Sequence, residues 1–376
     1  MILFIVALMN SYLKQHKRLY RMNLKQVFHL VFLCCFFLGS IFFSACGNPE
    51  SLPDASPNLK TIVKVPSNYK NIVTWGKQYK LRSRWVQKDK KMNLYTASDV
   101  VSFEAESQKV TINDISFWIS YPIKSANGTM YMHQQDISTC LEAILKPKAR
   151  SQVKIVALDP GHGGKQPGAV SGKMQEKTYV LLIAQEVKRI LENNGIKVVM
   201  TRSSDKYMGL SERPAYASKQ NANLFVSIHL NSAASSKANG VEVFTTTPSG
   251  ARSTNPDRSG SRARTAGNAY DAYNSLLAYH IQKELVDQTR MTDRGVRRDR
   301  LAVLINTKMP AVLVEAGFIS NKSDQKKLLS TSERKKIANA IAEGILNYNK
   351  SISSSKSDSL SSSSNSRRNI TQIDKL

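Results

Sequence analysis

Two histidines and two glutamates stand where an open α/β sheet would bring them together, and these side chains can hold a divalent metal and move protons. His162 lies in "VALDPGHGGKQPGAV", between Gly161 and Gly163 and directly after an apolar run. Glu176 follows that turn and opens a helical pattern, His229 closes "NLFVSIHLN", and Glu315 closes the strand within "AVLVEAGF". In open α/β sheets the ligand crevice lies beyond the carboxyl ends of the strands, which is where all four fall. A catalytic zinc commonly takes three His or Glu ligands and keeps a fourth position for water. His162, Glu176 and His229 supply such a set. Glu315 is then left as the carboxylate that serves as general base and later as proton donor.

Each residue also has a plainer reading. Taken alone, His229 is a satisfied polar group and Glu176 a first-turn acid favoured by the helix dipole. Close glycines could instead cradle a phosphate around "GHGG", but the spacing misses the phosphate-loop pattern and no Gly-Lys-Ser/Thr opens a helix. Glu315 follows the apolar "VLV", which tends to bury it, and buried acids need partners. Jointly the four favour a metal centre.

The elements that must position them alternate. "VKIVALD", "IKVVMTR", "NLFVSIHLN", "GVEVFTTT" and "AVLVEAGF" read as strands, and "EKTYVLLIAQEVKRILENNG", "LSERPAYASKQN", "NSLLAYHIQKELVDQT" and "TSERKKIANAIAEGILNYNK" as helices. This alternation predicts an α/β fold, a mostly parallel twisted sheet with helices on both faces. Before it, residues 61–150 carry short alternating runs bounded by turn signals and predict a small β-rich domain, with a wall-binding or spacer role. Residues 151–350 form the predicted catalytic domain, and the Ser-rich tail 351–376 is expected to be disordered.

The N-terminal region reads as a targeting device. Residues 1–46 hold "NLKQ", an apolar run "VFHLVFLCCFFLGSIFF" and a small-residue exit "SACGN". That is the pattern of a secretory signal. "FSAC" resembles a bacterial lipoprotein cleavage box, with Phe43 where that box favours Leu, and makes Cys46 the expected lipidated residue. Residues 47–60 follow as a tether. The expected location is therefore the cell envelope, as an exported, periplasmic, membrane-anchored lipoprotein. The 54 Lys plus Arg against 28 Asp plus Glu give a formal charge of +26, which implies a polyanionic partner. Nucleic acid is not that partner, because the signal directs the chain away from it and the cations are not grouped with base-stacking aromatics.

"LDPGHGG…PGA…EK", "VVMTR", "LSERPAYAS", "LFVSIHLNS", "GVEVF" and "MPAVLVEAGFISN" together resemble the catalytic domain of zinc-dependent N-acetylmuramoyl-L-alanine amidases, from about Val153 to Tyr348. The resemblance implies Zn2+ on His162, Glu176 and His229, Glu315 as catalytic acid/base, and peptidoglycan as substrate. The bond cut would be the amide between N-acetylmuramic acid and the L-alanine of the stem peptide. Stem carboxylates suit a basic surface, so Arg297, with Arg298 and Arg300 beside it, is expected to hold the stem, together with Asn231 and Asn306. Gln166 and Ile305 depart from the family's usual Asp and basic residue without touching a proposed ligand. The polar insertion from Ser249 to Gly267 stands where some relatives carry a helix that blocks the zinc, and its composition suits no such helix. A protein activator remains an expected possible partner. The competing readings are a zinc metallopeptidase acting within the stem and a wall-binding lipoprotein without catalysis.

Overall fold

A computed structural model describes residues 64–255 and 262–370, with side chains as far as Ser353. The expected signal, the tether and Cys46 lie outside the described residues. Among those described, no helix is long and apolar enough to cross a membrane.

One eleven-stranded sheet organises the molecule. Its first five strands form an antiparallel meander: β1 (Arg82–Gln87), β2 (Lys91–Tyr95), β3 (Val100–Glu104), β4 (Lys109–Ile112) and β5 (Ile115–Trp118). The remaining six are β6 (Ile155–Pro160), β7 (Lys197–Met200), β8 (Leu224–Asn231), β9 (Val241–Thr246), β10 (Asp293–Asp299) and β11 (Ala311–Phe318). Across the sheet the order is β7-β6-β8-β11-β9-β10-β5-β4-β3-β2-β1. β7, β6, β8 and β11 run parallel, β9 pairs antiparallel to β11, and β10 is parallel to β9.

The near-continuous apolar strands have a simple cause. Successive side chains point to opposite faces, and each face meets its own core. Val156, Leu158, Val226, Ile228, Val312 and Val314 join the larger cluster, while Ala157, Phe225, Ala311 and Leu313 join the smaller one. Helices α1 (Glu176–Asn193), α3 (Asp271–Thr289), α4 (Lys322–Leu329) and α5 (Thr331–Ile370) cover the first face. α2 (Glu212–Lys219) and the short turn Ala302–Ile305 cover the second. Helices thus lie on both faces of a sheet that is mostly parallel where the site is built.

The β-rich segment and the catalytic segment share this sheet. Phe117 of β5 is the register partner of Val296 of β10, and residues from both segments belong to one apolar cluster within the unit Ile62–Leu376. Pairing edge to edge removes two exposed strand edges that separate domains would each have left open. Arg298 reinforces the junction: fully buried, it ion-pairs with Asp136 and donates to Ser120 Oγ (3.0 Å) and Thr139 Oγ1 (2.8 Å).

The C-terminal segment also differs from expectation. Where disorder is expected from residue 351, α5 continues to Ile370. Ile352 is fully buried, and the Ser351 and Ser353 hydroxyls donate to the carbonyls of Asn347 (3.0 Å) and Asn349 (2.7 Å), one turn back. Serines bonded in this way fit a helix interior that composition alone argues against.

The contact between α3 and α5 carries a pH dependence. His280 of α3 lies 2.9 Å from Ser351 Oγ of α5, and burial, aided by Lys283, pushes its pKa down to about 4. A histidine depressed in the folded state contributes stability above its unfolded pKa of about 6.5 and loses it as pH falls through that range. Urea unfolding of wild type between pH 7 and pH 4.5 is expected to show a loss of up to about 3 kcal/mol that His280→Gln largely removes. Parallel pH profiles for the two proteins would contradict the assignment.

Candidate metal centre and active site

Strand ends and a strained turn bring the two histidines onto one carboxylate. Gly161 leaves β6 with its N–H donating to Ile228 O at 2.9 Å, and His162 follows at φ 59°, the left-handed region that non-glycine residues rarely adopt. Backbone strain of this kind clusters at functional sites. Glu176, at the start of α1, is 3% exposed. One of its oxygens lies 3.1 Å from His162 Nε2 and the other 2.9 Å from His229 Nδ1. The backbone N–H groups of Ala169 (2.8 Å) and Leu230 (3.0 Å) donate to the same carboxylate. Burial alone would raise its pKa, but the hydrogen bonds and charge of the two imidazoles outweigh that and hold Glu176 well below the usual carboxylate range.

The glycines around His162 make room for this group. A Cβ on Gly161 would sit 2.3–2.7 Å from the His229 ring. On Gly168, at φ 72°, it would meet Glu176 Oε2 at 2.4 Å and His162 Cδ2 at 2.7 Å. These are hard clashes, so both positions require glycine for close approach as well as for chain direction.

His162, Glu176 and His229 each offer one ligand atom within 4.8 Å of the others. Two imidazole nitrogens and a carboxylate oxygen match the donor chemistry of a catalytic zinc site that keeps an open position. Glu315 is the register partner of His229 on the adjacent strand, and both point to the second face. Its Oε2 is buried and has no hydrogen-bond partner among the described residues. Burial first, then the negative charges of Glu176 and Glu242, hold its pKa well above the ordinary carboxylate value. An unpartnered acid facing a three-ligand cluster fits a site that receives a cation and a water molecule.

A second layer, which the residue patterns do not reveal, fixes the His162 turn. Arg213 of α2 is 1% exposed and donates to Asp159 Oδ1 (2.8 Å), Pro160 O (3.1 Å) and His162 O (2.9 Å). Arg202 donates to Pro160 O (2.9 Å), Gly161 O (2.7 Å) and Lys177 O (2.8 Å). Asp159, fully buried, accepts in addition from Thr201 Oγ1 (2.6 Å) and Ser227 Oγ (2.7 Å). The "VVMTR" and "LSERPAYAS" segments thus carry the arginines that hold the turn, a role hidden because an arginine reads by default as surface charge.

The residues expected to hold the stem divide. Asn231 Nδ2 donates to Glu242 Oε1 at 2.6 Å, and Arg297 Nε ion-pairs with Glu242 Oε2 at 2.7 Å, beside Glu315 in the sheet. Arg298 and Arg300 are not brought to this group. Arg298 is buried at the junction described above, and Arg300 reaches the carbonyls of Thr247, Pro248, Ala251 and Ala263. β9 and β10 run opposite to β11, so their carboxyl ends lie about 13 Å along the strands from the Glu315 row. The exposed Asn306, just before β11 begins, lies at that far end too, which removes it from the expected substrate contacts. The insertion starting at Ser249 is tied down there as well, Thr254 N donating to Arg298 O at 2.9 Å.

Comparison with known proteins gives the family of the segment that carries this site. The sequence model of the N-acetylmuramoyl-L-alanine amidase family matches residues 156–347. The uncharacterized protein YqiI of Bacillus subtilis is 36% identical over 224 residues, covering 58% of this chain and 98% of that protein. N-acetylmuramoyl-L-alanine amidase AmiA of Escherichia coli is 35% identical over 229 residues, covering 54% of this chain and 79% of AmiA. Among solved structures, the catalytic domain of the amidase CwlV from Bacillus (Paenibacillus) polymyxa var. colistinus is 37% identical, with a TM-score of 0.43 over 52% of this chain and 97% of that one. The family match over residues 156–347, and the His162-Glu176-His229 cluster with Glu315 beside it inside that segment, identify the chain: it belongs to the N-acetylmuramoyl-L-alanine amidase family and is a peptidoglycan amidase.

Proposed function

We propose that His162, Glu176 and His229 hold a Zn2+ ion and that Glu315 is the acid/base with which this enzyme hydrolyses the amide between N-acetylmuramic acid and the stem's L-alanine. The observation that supports this most directly is the placement of three candidate ligand atoms within 4.8 Å, next to a buried carboxylate oxygen that has no partner among the described residues. When bound, zinc polarises an amide carbonyl and lowers the pKa of water to about 7. Glu315 takes the proton of the attacking water and returns it to the nitrogen of L-alanine as the C–N bond breaks. A pKa raised by burial suits this double duty, since the same group must accept and then donate near neutral pH, and a cation at its neighbours opposes the shift. Arg202 and Arg213 keep the His162 turn in place and take no part in the proton transfer. Arg297 and Asn231, joined through Glu242, line the adjacent end of the sheet where the stem would lie.

The test incubates the protein with intact peptidoglycan, with and without a chelator, and reads the products by mass spectrometry. Whole stems beginning with L-alanine, abolished by chelation and restored by zinc with one equivalent bound, are the expected result. Fragments cut within the stem would instead favour the metallopeptidase reading. Wall binding without any product would favour a lipoprotein without catalysis.

The substrate lies in the cell envelope. We place the enzyme there as an exported lipoprotein, from the apolar segment and the "FSAC" box ending at Cys46. Cys46→Ser is expected to move the protein from the membrane fraction to the soluble one. Unchanged membrane recovery would count against the lipid anchor.

A further inference from the structure

Beside Glu315 the sheet builds a cationic corner that the hydrolysis itself does not need. His229, Glu315, Glu242 and Gly295 form one row across β8, β11, β9 and β10. Glu242 carries two arginines on one oxygen: Arg297 Nε at 2.7 Å and Arg294 Nε at 3.2 Å. Arg294 reaches it because of a bulge. Val241 is the partner of Asp293 and Glu242 the partner of Gly295, so Arg294 is the extra residue that the ladder skips. Bulges re-aim side chains and recur beside active sites.

Both guanidinium groups are also held from the side. Arg297 stacks over the Trp118 ring at 4.6 Å and Arg294 over the Phe318 ring at 4.7 Å, and Trp118 Nε1 donates to Arg294 O at 2.9 Å. Trp118 belongs to β5, so the N-terminal meander supplies part of this corner. The Glu242 side chain is 4% exposed, whereas those of Arg294 and Arg297 are 30% and 18% exposed. Two cations therefore share one buried carboxylate and reach solvent at the Glu315 end of the sheet. On Glu242 itself the cations outnumber the carboxylate two to one.

We propose that Arg294 and Arg297 form a docking subsite for a carboxylate of the stem peptide, borne by the residue that follows L-alanine, and so set the enzyme's preference for stems in which that carboxylate is free. This deepens the amidase reading and rests on it. The distances agree. Adjacent strands are about 4.8 Å apart, so arginines that lean from β10 back to Glu242 sit roughly 5–10 Å from Glu315. A group two residues from the scissile carbonyl lies at about 7 Å in an extended chain. Guanidinium held by stacking and by a buried anion is pre-oriented for bidentate recognition of a carboxylate, which a carboxamide cannot match in charge.

The experiment uses zinc-loaded enzyme and two muramoyl peptides that differ only at the second stem residue, with a free α-carboxylate or its carboxamide. Wild type is expected to favour the carboxylate at least tenfold in kcat/KM, chiefly through KM. Arg294→Gln and Arg297→Gln should each cut that preference threefold or more, and the double variant should bring it near unity with zinc content unchanged. Arg297→Lys, which keeps the charge and loses the planar fork, should retain only part of it, and Trp118→Leu should also lose part. Each variant is its own control for folding, since only the ratio between the two substrates is read. No preference in wild type, or equal slowing of both substrates by the glutamine variants, overturns the subsite. Peptides beginning with L-alanine report separately on the amidase reading: if wild type releases none, both ideas fall, and if it releases them equally from both stems, only the subsite does.

Discussion

Glu315→Gln is expected to lower kcat for release of L-alanine-headed stems by about 10²–10⁴-fold, with KM and bound zinc little changed. Glutamine keeps the shape of the side chain and removes only its capacity to take and return a proton. The three proposed ligand residues lie on other elements and bond to one another rather than to Glu315, so the zinc they are proposed to hold should be retained. Stability should not fall. In the wild-type acid Oε2 is buried with no partner among the described residues, and the group sits near the negative charges of Glu176 and Glu242. An uncharged amide relieves that repulsion and offers N–H donors to the same neighbours. Activity within tenfold of wild type, measured by mass spectrometry at saturating substrate with zinc content confirmed, would remove Glu315 from the proton-transfer role. A large loss of activity together with a lower melting temperature would reassign it to structure.

The candidate site was largely legible because its parts sit at positions with topological meaning. His162, His229 and Glu315 each end an apolar run, and in a parallel sheet the ends of such runs fall on one edge whatever the connections between them. The same logic fails for Arg298, Arg300 and Asn306. Arg298 and Arg300 too adjoin a strand end, but β10 runs opposite to β11, so its end lies at the far end of the sheet, and Asn306 lies there because it precedes β11. Strand direction depends on which strands pair, and the antiparallel pairing of β9 with β11 leaves no trace in residue types. The merger of the two segments is hidden for a related reason. Val296 and Phe117 are register partners across a long sequence separation, and an alternating strand at the edge of its own small sheet reads the same as one that continues another. Composition likewise misjudges the start of the Ser-rich stretch, where burial of Ile352 continues α5 and the Ser351 and Ser353 hydroxyls are satisfied one turn back.

The layer beneath the metal residues yields the second large effect, at Asp159. This carboxylate is fully buried and accepts from Thr201, Ser227 and Arg213 at 2.6, 2.7 and 2.8 Å. Asp159→Ala removes the acceptor for all three and leaves the Arg213 guanidinium, itself 1% exposed, without its counter-charge. Breaking a buried ion pair from one side costs about 3–5 kcal/mol. A typical domain has about 5–15 kcal/mol in all, so the variant should be markedly destabilised. Urea unfolding with a chelator present isolates this cost from metal binding. The effect should also reach the site, because Arg213 holds His162 O and Pro160 O. Loosening such a support typically costs 10–100-fold in metal affinity. Combining Asp159→Ala with Arg213→Met separates the two roles. The double variant replaces an orphaned cation with an apolar side chain and should recover much of the metal-free stability. It should not recover zinc affinity, since His162 O has still lost its donor. Metal-free stability within about 1 kcal/mol of wild type for Asp159→Ala would show that the pair does not carry the turn, a loss smaller than one buried hydrogen bond to a charged group normally produces. Recovery of both properties in the double variant would show instead that Arg213 acts on the site only through overall stability.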